Sequence, residues 1–190
     1  MEHSYEIFGE KINKGISHLS LGPFGRILDM RELKKLINFK NLSSISLSGS
    51  GLTDTGLSYI VQCERVEHLN LQSTEITNQG LAHLQQLKNL KELRLKENEQ
   101  LDDTCIPFLN LCQGLVDLQI HETSITEEGL RNLNISGLKQ IVIDVWQDNF
   151  TYDFLIGFSE KYPECQVIVK GKGDFLNGNF NAGFNCKWGK

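Results

Sequence analysis

Long hydrophobic runs are missing from this chain. No apolar stretch approaches the roughly eighteen residues that a membrane span needs, so no membrane partner is expected. The first ten residues carry Glu2, Glu6 and Glu10 and no apolar core, so they do not read as a secretory signal, and the expected location is cytoplasmic. Cysteine is scarce and odd in number. The five residues match neither a zinc-pair nor a redox-pair spacing, which argues against a disulfide framework and a metal site. An excess of positive charge is also absent. The formal net charge is -5, and residues 41–150 hold 15 acidic against 7 basic side chains, between two slightly basic ends. A protein that tracks phosphates needs a basic stripe where this one is most acidic, so no nucleic-acid partner is expected. Finally, the phosphate-cradling G-x-x-x-x-G-K-[ST], the zinc-binding H-E-x-x-H and the hydrolase G-x-S-x-G are all lacking.

What is present is ordinary for a folded chain: 190 residues, 39% hydrophobic, 23% charged and 8% aromatic, which suffice for one cooperative unit. Its organisation is repetitive. Leu42-x-x-Ile45-x-Leu47, Val66-x-x-Leu69-x-Leu71, Leu90-x-x-Leu93-x-Leu95, Leu115-x-x-Leu118-x-Ile120 and Leu138-x-x-Ile141-x-Ile143 recur at intervals of 24, 24, 25 and 23 residues. A degenerate unit precedes them at Ile16-x-x-Leu19-x-Leu21, and Val167 with Val169 marks a final strand. These units resemble the leucine-rich repeat family. The resemblance covers residues 16–170 and implies a short α/β solenoid, a horseshoe with parallel strands on its concave face and helices on its convex face.

The second half of each unit is equally regular. Leu52-Thr53-Asp-Thr-Gly56-Leu57, Ile76-Thr77-Asn-Gln-Gly80-Leu81 and Ile125-Thr126-Glu-Glu-Gly129-Leu130 open a helix, and Leu81, Leu84, Leu87 and Leu90 supply its inward stripe. Asp29, Thr53, Thr77, Asp102, Thr126 and Thr151 stand where an N-cap would, followed by first-turn acids at Asp54, Asp103, Glu127, Glu128 and Asp153. This pattern is similar to the helical, ribonuclease-inhibitor-like and cysteine-containing subtype. A small polar column at Ser50, Thr74, Asn98 and Thr123 is placed to satisfy backbone groups in the ascending loops and changes to Phe24 and Trp146 in the terminal units. Cys63, Cys105 and Cys112 fall in core-facing columns, and Cys165 is expected to be similar, leaving Cys186 in the tail.

Strand alternation assigns the remaining positions to the concave surface. One lane runs His18, Ser44, His68, Glu92, Asp117, Gln140; the next Ser20, Ser46, Asn70, Arg94, Gln119, Val142, Ile168; the third Gly22, Ser48, Gln72, Lys96, His121, Asp144, Lys170. His18, His68 and His121 are expected to face solvent there. Glu75, Glu97, Glu99, Glu122 and Asp148, with no Lys or Arg among them, predict an acidic edge along the ascending loops that would steer a basic partner. Trp146, beside Val142 and Ile168, is a candidate anchor. Residues 1–15 are expected to cap one end, with Tyr5, Ile7, Phe8 and Ile12 covering the core, and the Gly-, Asn- and aromatic-rich 171–190 to cap the other.

Nearly every position in the array has a structural column, which leaves no room for a catalytic constellation, metal or cofactor. The expected role is therefore a non-enzymatic protein-binding module, monomeric before it binds. The partner surface is expected to comprise His68, Asn70, Gln72, Glu92, Arg94, Lys96, Glu97, Glu99, Asp117, Gln119, His121, Glu122, Asp144 and Trp146. Fold analogy with ribonuclease-inhibitor-like repeats favours a dedicated inhibitor, an immunity protein that neutralises a basic toxin. The alternative is an adaptor that recruits substrates to a larger complex such as a ubiquitin ligase.

Overall fold

Three-residue strands at a fixed interval are what the repeated x-Leu-x triplets dictate, because only the central leucine of each can turn into a core while its neighbours point away. The computed structural model, which describes residues 4–21, 29–145 and 149–182, has this arrangement. A hairpin of β1 (Ser4–Ile7) and β2 (Glu10–Asn13) precedes β3 (His18–Ser20), β4 (Ser44–Ser46), β5 (His68–Asn70) and β6 (Glu92–Arg94). Then come β7 (Asn98–Asp102), β8 (Asp117–Gln119), β9 (Thr123–Ser124), β10 (Gln140–Ile143) and β11 (Gln166–Val169), and a closing hairpin of β12 (Gly173–Leu176) and β13 (Asn179–Ala182). Seven of these strands, β3, β4, β5, β6, β8, β10 and β11, lie side by side and parallel, with β12 and β13 added antiparallel at one edge. β7 and β9 pair as a second, two-stranded parallel sheet.

The register puts like positions of successive units together. His18 pairs with Ser44, Ser44 with His68, His68 with Glu92, Glu92 with Asp117 and Asp117 with Gln140. Between them Leu19, Ile45, Leu69, Leu93, Leu118 and Ile141 form one continuous buried row. Removing the side chain of a buried leucine of this kind costs about 2–5 kcal/mol.

The helices expected on the convex face are of two kinds. Met30–Asn38 and Gln79–Gln86 are 3-10 helices, as is Asp103–Cys105, which runs into α2 (Ile106–Leu109). The α-helical pieces are α1 (Asp54–Ile60), α2, α3 (Glu127–Arg131) and α4 (Tyr152–Lys161). Apolar side chains three residues apart stay in line on a three-residue turn, although the same spacing at Leu57 and Ile60 is carried by the α-helix α1. Leu81 and Leu84 in the helix, Leu87 at its C-cap and Leu90 beyond it are all buried.

At the caps, Asp29, Asp102, Thr126 and Thr151 accept from Arg31, Thr104, Glu128 and Phe154 backbone N–H groups, respectively. Thr53 occupies its N-cap without a side-chain bond, and in the next unit the cap falls on Asn78 rather than Thr77. Three of the first-turn acids do more than complement a helix dipole, since each also holds the following unit. Asp54 accepts from Thr77 N and Oγ1 (2.8 and 2.7 Å), Asp103 from Thr126 N and Oγ1 (both 2.7 Å), and Glu127 from Thr151 N and Oγ1 (2.6 and 2.5 Å). The glycine of the motif follows from this contact: a Cβ on Gly80 would stand 1.9 Å from Asp54 Oδ1, and one on Gly129 2.3 Å from Asp103 Oδ1.

The ascending loops are satisfied by the expected polar column. Asn98 is fully buried; its Nδ2 donates to the carbonyls of Leu71 and Leu95 (2.9 and 2.8 Å), and its Oδ1 accepts from Thr74 N (2.9 Å). Thr74 Oγ1 donates to Leu71 O, and Thr123 Oγ1 to Ile120 O. Ser50 Oγ is buried with no partner among the described residues. Phe24 and Trp146 lie outside the described residues.

The two ends are covered. Ile7 is fully buried, and Tyr5 packs on Phe39 with ring centroids 5.7 Å apart. At the other end Phe175 of β12 is fully buried against Tyr152 (5.4 Å) and Phe180 (4.8 Å). Cys63, Cys105, Cys112 and Cys165 are free and buried; burial pushes their thiols up to about 11, 12, 11 and 12, respectively, so they stay protonated and serve as small packing groups. Cys186 lies outside the described residues.

Candidate functional site: the open face of the parallel sheet

Because side chains alternate along a strand, the residues flanking each buried leucine emerge on the face away from the helices. Of the expected partner-binding positions, Arg94 and Glu99 are exposed, and His68, Asn70, Gln72, Glu92, Lys96, Glu97, Asp117, Gln119 and Glu122 are partly exposed. None of these is covered by another part of the described chain. His121 and Asp144 depart from the expectation: both are buried, at 7% and 9% exposure. Trp146, like Gly22 and Asp148, lies outside the described residues.

The departure at Asp144 has a structural cause. In four successive units the second residue after the last strand leucine takes a left-handed backbone, at Gly49, Ser73, Glu97 and Glu122, with φ of 65°, 52°, 60° and 59°. The N–H of this residue donates to the next strand's carbonyl in three units: Gly49 to Gln72 O, Ser73 to Lys96 O and Glu97 to His121 O. At Glu122 the acceptor is instead the side chain of Asp144, at 2.5 Å. A carboxylate expected on the surface is thereby turned into the backbone ladder. The positive-φ column was nearly invisible in the sequence, since Gly49 alone hints at it and a carbon side chain there costs roughly 1–2 kcal/mol.

His121 is enclosed beside this contact, and its Nδ1 has no partner among the described residues. Burial, then the charges of Lys170 and Lys96, lower its pKa, so the neutral imidazole is favoured. The solvent-facing role expected for it does not hold, whereas His18 is exposed and His68 partly so.

Electrostatics divide the open face into pairs. His68 Nδ1 lies 2.9 Å from Glu92 Oε2, and His18 Nδ1 shares a hydrogen bond of 2.8 Å with Ser44 Oγ. Asp117 accepts from Gln140 Nε2 at 2.9 Å; burial raises its pKa, with the Glu92 charge adding to the effect. The loop rim is less purely acidic than its own residues predict, because lysines reach it from the strands. Lys96 Nζ is 3.6 Å from Glu97, and Lys170 pairs with Glu122, whose carboxyl is held below its ordinary value by that hydrogen bond. Glu75 and Glu99 stay exposed.

Two of the concavities among the described residues adjoin the open face and its rim. One of about 420 Å³ lies on the sheet among His18, Ser20, Ser44, Ser46, His68, Asn70, Glu92 and Arg94. The other, of about 790 Å³, lies at the rim and includes Glu99, Glu122, Asp144, Asn149 and Lys170. Among the described residues no group of three or more His, Cys, Asp or Glu side chains could hold a metal ion, and no helix is long and apolar enough to cross a membrane. At the C-terminal end Val142 and Ile168 adjoin on the open face and are partly exposed.

No family model matches the sequence, and no curated protein matches it. Solved structures do. Internalin C2 from Listeria monocytogenes aligns over 84% of this chain and 74% of its own, with a TM-score of 0.55 and 22% identity. An internalin from the same organism aligns over 84% and 50%, with a TM-score of 0.50 and 16% identity. A chain of the yeast Rad7–Elc1 complex aligns over 76% and 42%, with a TM-score of 0.54 and 20% identity. The chain thus spans half or less of the latter two. These likenesses concern the fold, which is that of the repeat seen in the sequence.

Proposed function

We propose that this chain, which has the leucine-rich-repeat fold, is a non-enzymatic protein-binding module, a short horseshoe-shaped solenoid that docks a protein partner on its concave face and the adjoining loop rim. The observation that carries the reading is that the strand side chains at 68, 70, 92, 94, 117 and 119 stand partly or fully exposed. They vary in charge and size on a scaffold whose buried leucine rows and stacked strands hold them in place. Seven parallel strands at about 4.8 Å spacing span on the order of 30 Å, comparable to one side of a standard interface. Stacked repeats with varied surface residues suit recognition better than chemistry.

The partner-binding set is His68, Asn70, Gln72, Glu92, Arg94, Lys96, Asp117 and Gln119 on the sheet, with Glu97, Glu99 and Glu122 on the rim. Exposed Glu75 and Glu99 leave the rim negative enough to steer a basic region of the partner. The specific role favoured is a dedicated cytoplasmic inhibitor, an immunity protein whose partner is a basic toxin or effector. The second reading is an adaptor within a larger complex such as a ubiquitin ligase. It is favoured by the likeness to a chain crystallised in the Rad7–Elc1 complex.

The test is capture of the partner by the full chain and by a variant carrying Gln72→Arg and Gln119→Arg, which places bulk on the open face without touching the core. Binding is expected to be lost while the circular dichroism spectrum is kept. A partner bound equally well by the variant overturns the reading. Suppression of a captured toxin's activity by the purified chain supports the inhibitor, and a ligase subunit among the captured proteins supports the adaptor.

A further inference from the structure

The charged side chains of the sheet lanes are engaged by neighbours, with one exception. Glu92 is held by His68 (2.9 Å) and Asp117 by Gln140 (2.9 Å); Lys96 lies 3.6 Å from Glu97; Lys170 pairs with Glu122; and Asp144 is buried, accepting the Glu122 N–H. Arg94 makes no hydrogen bond or ion pair among the described residues. It is exposed, and its strand β6 is the fourth of the seven parallel strands, so it stands at the middle of the open face. Its charge acts on the neighbouring Asp117 carboxyl, but engaging it breaks no hydrogen bond or ion pair among the described residues.

The surroundings of Arg94 offer donors. It borders the concavity of about 420 Å³ and pairs in register with Asn70. Asn70 Nδ2 donates to Ser46 Oγ (3.2 Å), which leaves the serine hydroxyl hydrogen and the second amide hydrogen uncommitted among the described residues, while Asn70 Oδ1 is already used by Gln72 N (3.0 Å). The one carboxylate lining this concavity, Glu92, is the one engaged by His68. A guanidinium with a fork of free N–H groups, flanked by spare amide and hydroxyl hydrogens, is matched by a carboxylate, which accepts two such bonds at once.

We propose that this concavity seats a carboxylate of the protein partner, an Asp or Glu side chain, gripped by Arg94 with Asn70 and Ser46 beside it. The proposal rests on the reading of the open face as a protein-docking surface and adds its chemistry. The partner's contact region carries an acid at its centre and its basic groups toward the loop rim. Central arginines that meet a desolvated carboxylate are among the residues that dominate interface energetics.

The experiment is an NMR titration of the full ¹⁵N-labelled chain at low salt with N-acetyl-glutamate methylamide, using N-acetyl-glutamine methylamide and N-acetyl-lysine methylamide as neutral and cationic controls. The glutamate probe is expected to move the Arg94 Nε–H and the amides of Asn70 and Arg94, and the controls are not. Arg94→Gln removes these shifts. Asn70→Asp, which sets an internal carboxylate beside Arg94, weakens the titration about tenfold and carries the test if the arginine variant does not fold. Equal shifts from the glutamine or lysine probe, or a titration unchanged by both variants, overturn the proposal. The docking reading is judged separately, by the Gln72→Arg, Gln119→Arg variant and the captured partner. A failed carboxylate titration therefore removes the seat, whereas a partner indifferent to that variant removes the docking face.

Discussion

The two halves of the open face are built from one template and behave oppositely. From β3 to β6 the lanes carry small or amide side chains, His18, the His68–Glu92 pair, Lys96 and Arg94, and all of those described stand partly or fully exposed. From β8 to β11 the same lane positions hold His121 and Asp144, which are buried, and Lys170, which crosses to Glu122. A repeat fixes where a side chain starts, but whether it stays available depends on what its neighbours can offer it. At Glu122 the ladder lacks a backbone acceptor, so the nearest carboxylate is drawn in. Around Arg94 the adjoining carboxylates are engaged elsewhere, Glu92 by His68 and Asp117 by Gln140, and the cation makes no hydrogen bond or ion pair among the described residues.

The largest expected effect tests how far the C-terminal half depends on its hairpin. Phe175→Ala removes a fully buried ring packed on Tyr152 and Phe180 and is expected to cost about 3–5 kcal/mol in urea unfolding. A loss below about 1 kcal/mol would mean that the hairpin is not part of the cooperative unit. Next comes a direct contrast within one lane. Asp144→Ala orphans the Glu122 N–H and is expected to cost about 2 kcal/mol, whereas Ser48→Ala at the equivalent position stays within about 0.5 kcal/mol. Equal values would erase the distinction between the halves.

A third measurement concerns binding. Changing Glu97 and Glu99 to Lys is expected to weaken a captured partner by about tenfold at low salt, with the difference shrinking as salt rises. An affinity and salt dependence like those of the unmodified chain would show that the rim does not steer.

The smallest effect is a pH dependence confined to the closed half. His121 has a pKa lowered by burial and by Lys170 and Lys96, so the unfolded chain binds the proton more readily than the folded one. Its contribution to stability is present above the unfolded value of about 6.5 and is lost as pH falls through the lower folded value. Urea midpoints measured at pH 7 and pH 5 should therefore converge in His121→Gln relative to the unmodified chain. A pH dependence that the substitution leaves unaltered would assign it to other groups.

Much of this molecule could be read before its coordinates. The Leu-x-x-Leu-x-Leu spacing led to seven parallel strands in the right register, since alternation allows one inward side chain per triplet. The column of Ser50, Thr74, Asn98 and Thr123 was legible because tightly stacked loops leave carbonyls that only a small polar side chain can reach. The period of three marked a helix at Gln79–Gln86 without its 3-10 character, since the same spacing at Leu57 and Ile60 is carried by an α-helix. The role of Asp54, Asp103 and Glu127 was half legible: the dipole argument placed them in the first turn, and their grip on the next unit's threonine needed the distance between units.

The local periodicity of the chain determined which residues are buried in rows and which emerge on the open face, because strand alternation and repeat length act within a few residues and need no partner. Tertiary structure alone decided which of the emerging residues remain free. Pairs such as Lys170 with Glu122, or Asp144 with the Glu122 N–H beside the adjacent strand, join groups that lie in different units of the chain. Their energies depend on distances of a few ångströms that no spacing rule contains. The same holds for Arg94, which is marked by the absence of any such neighbour among the described residues.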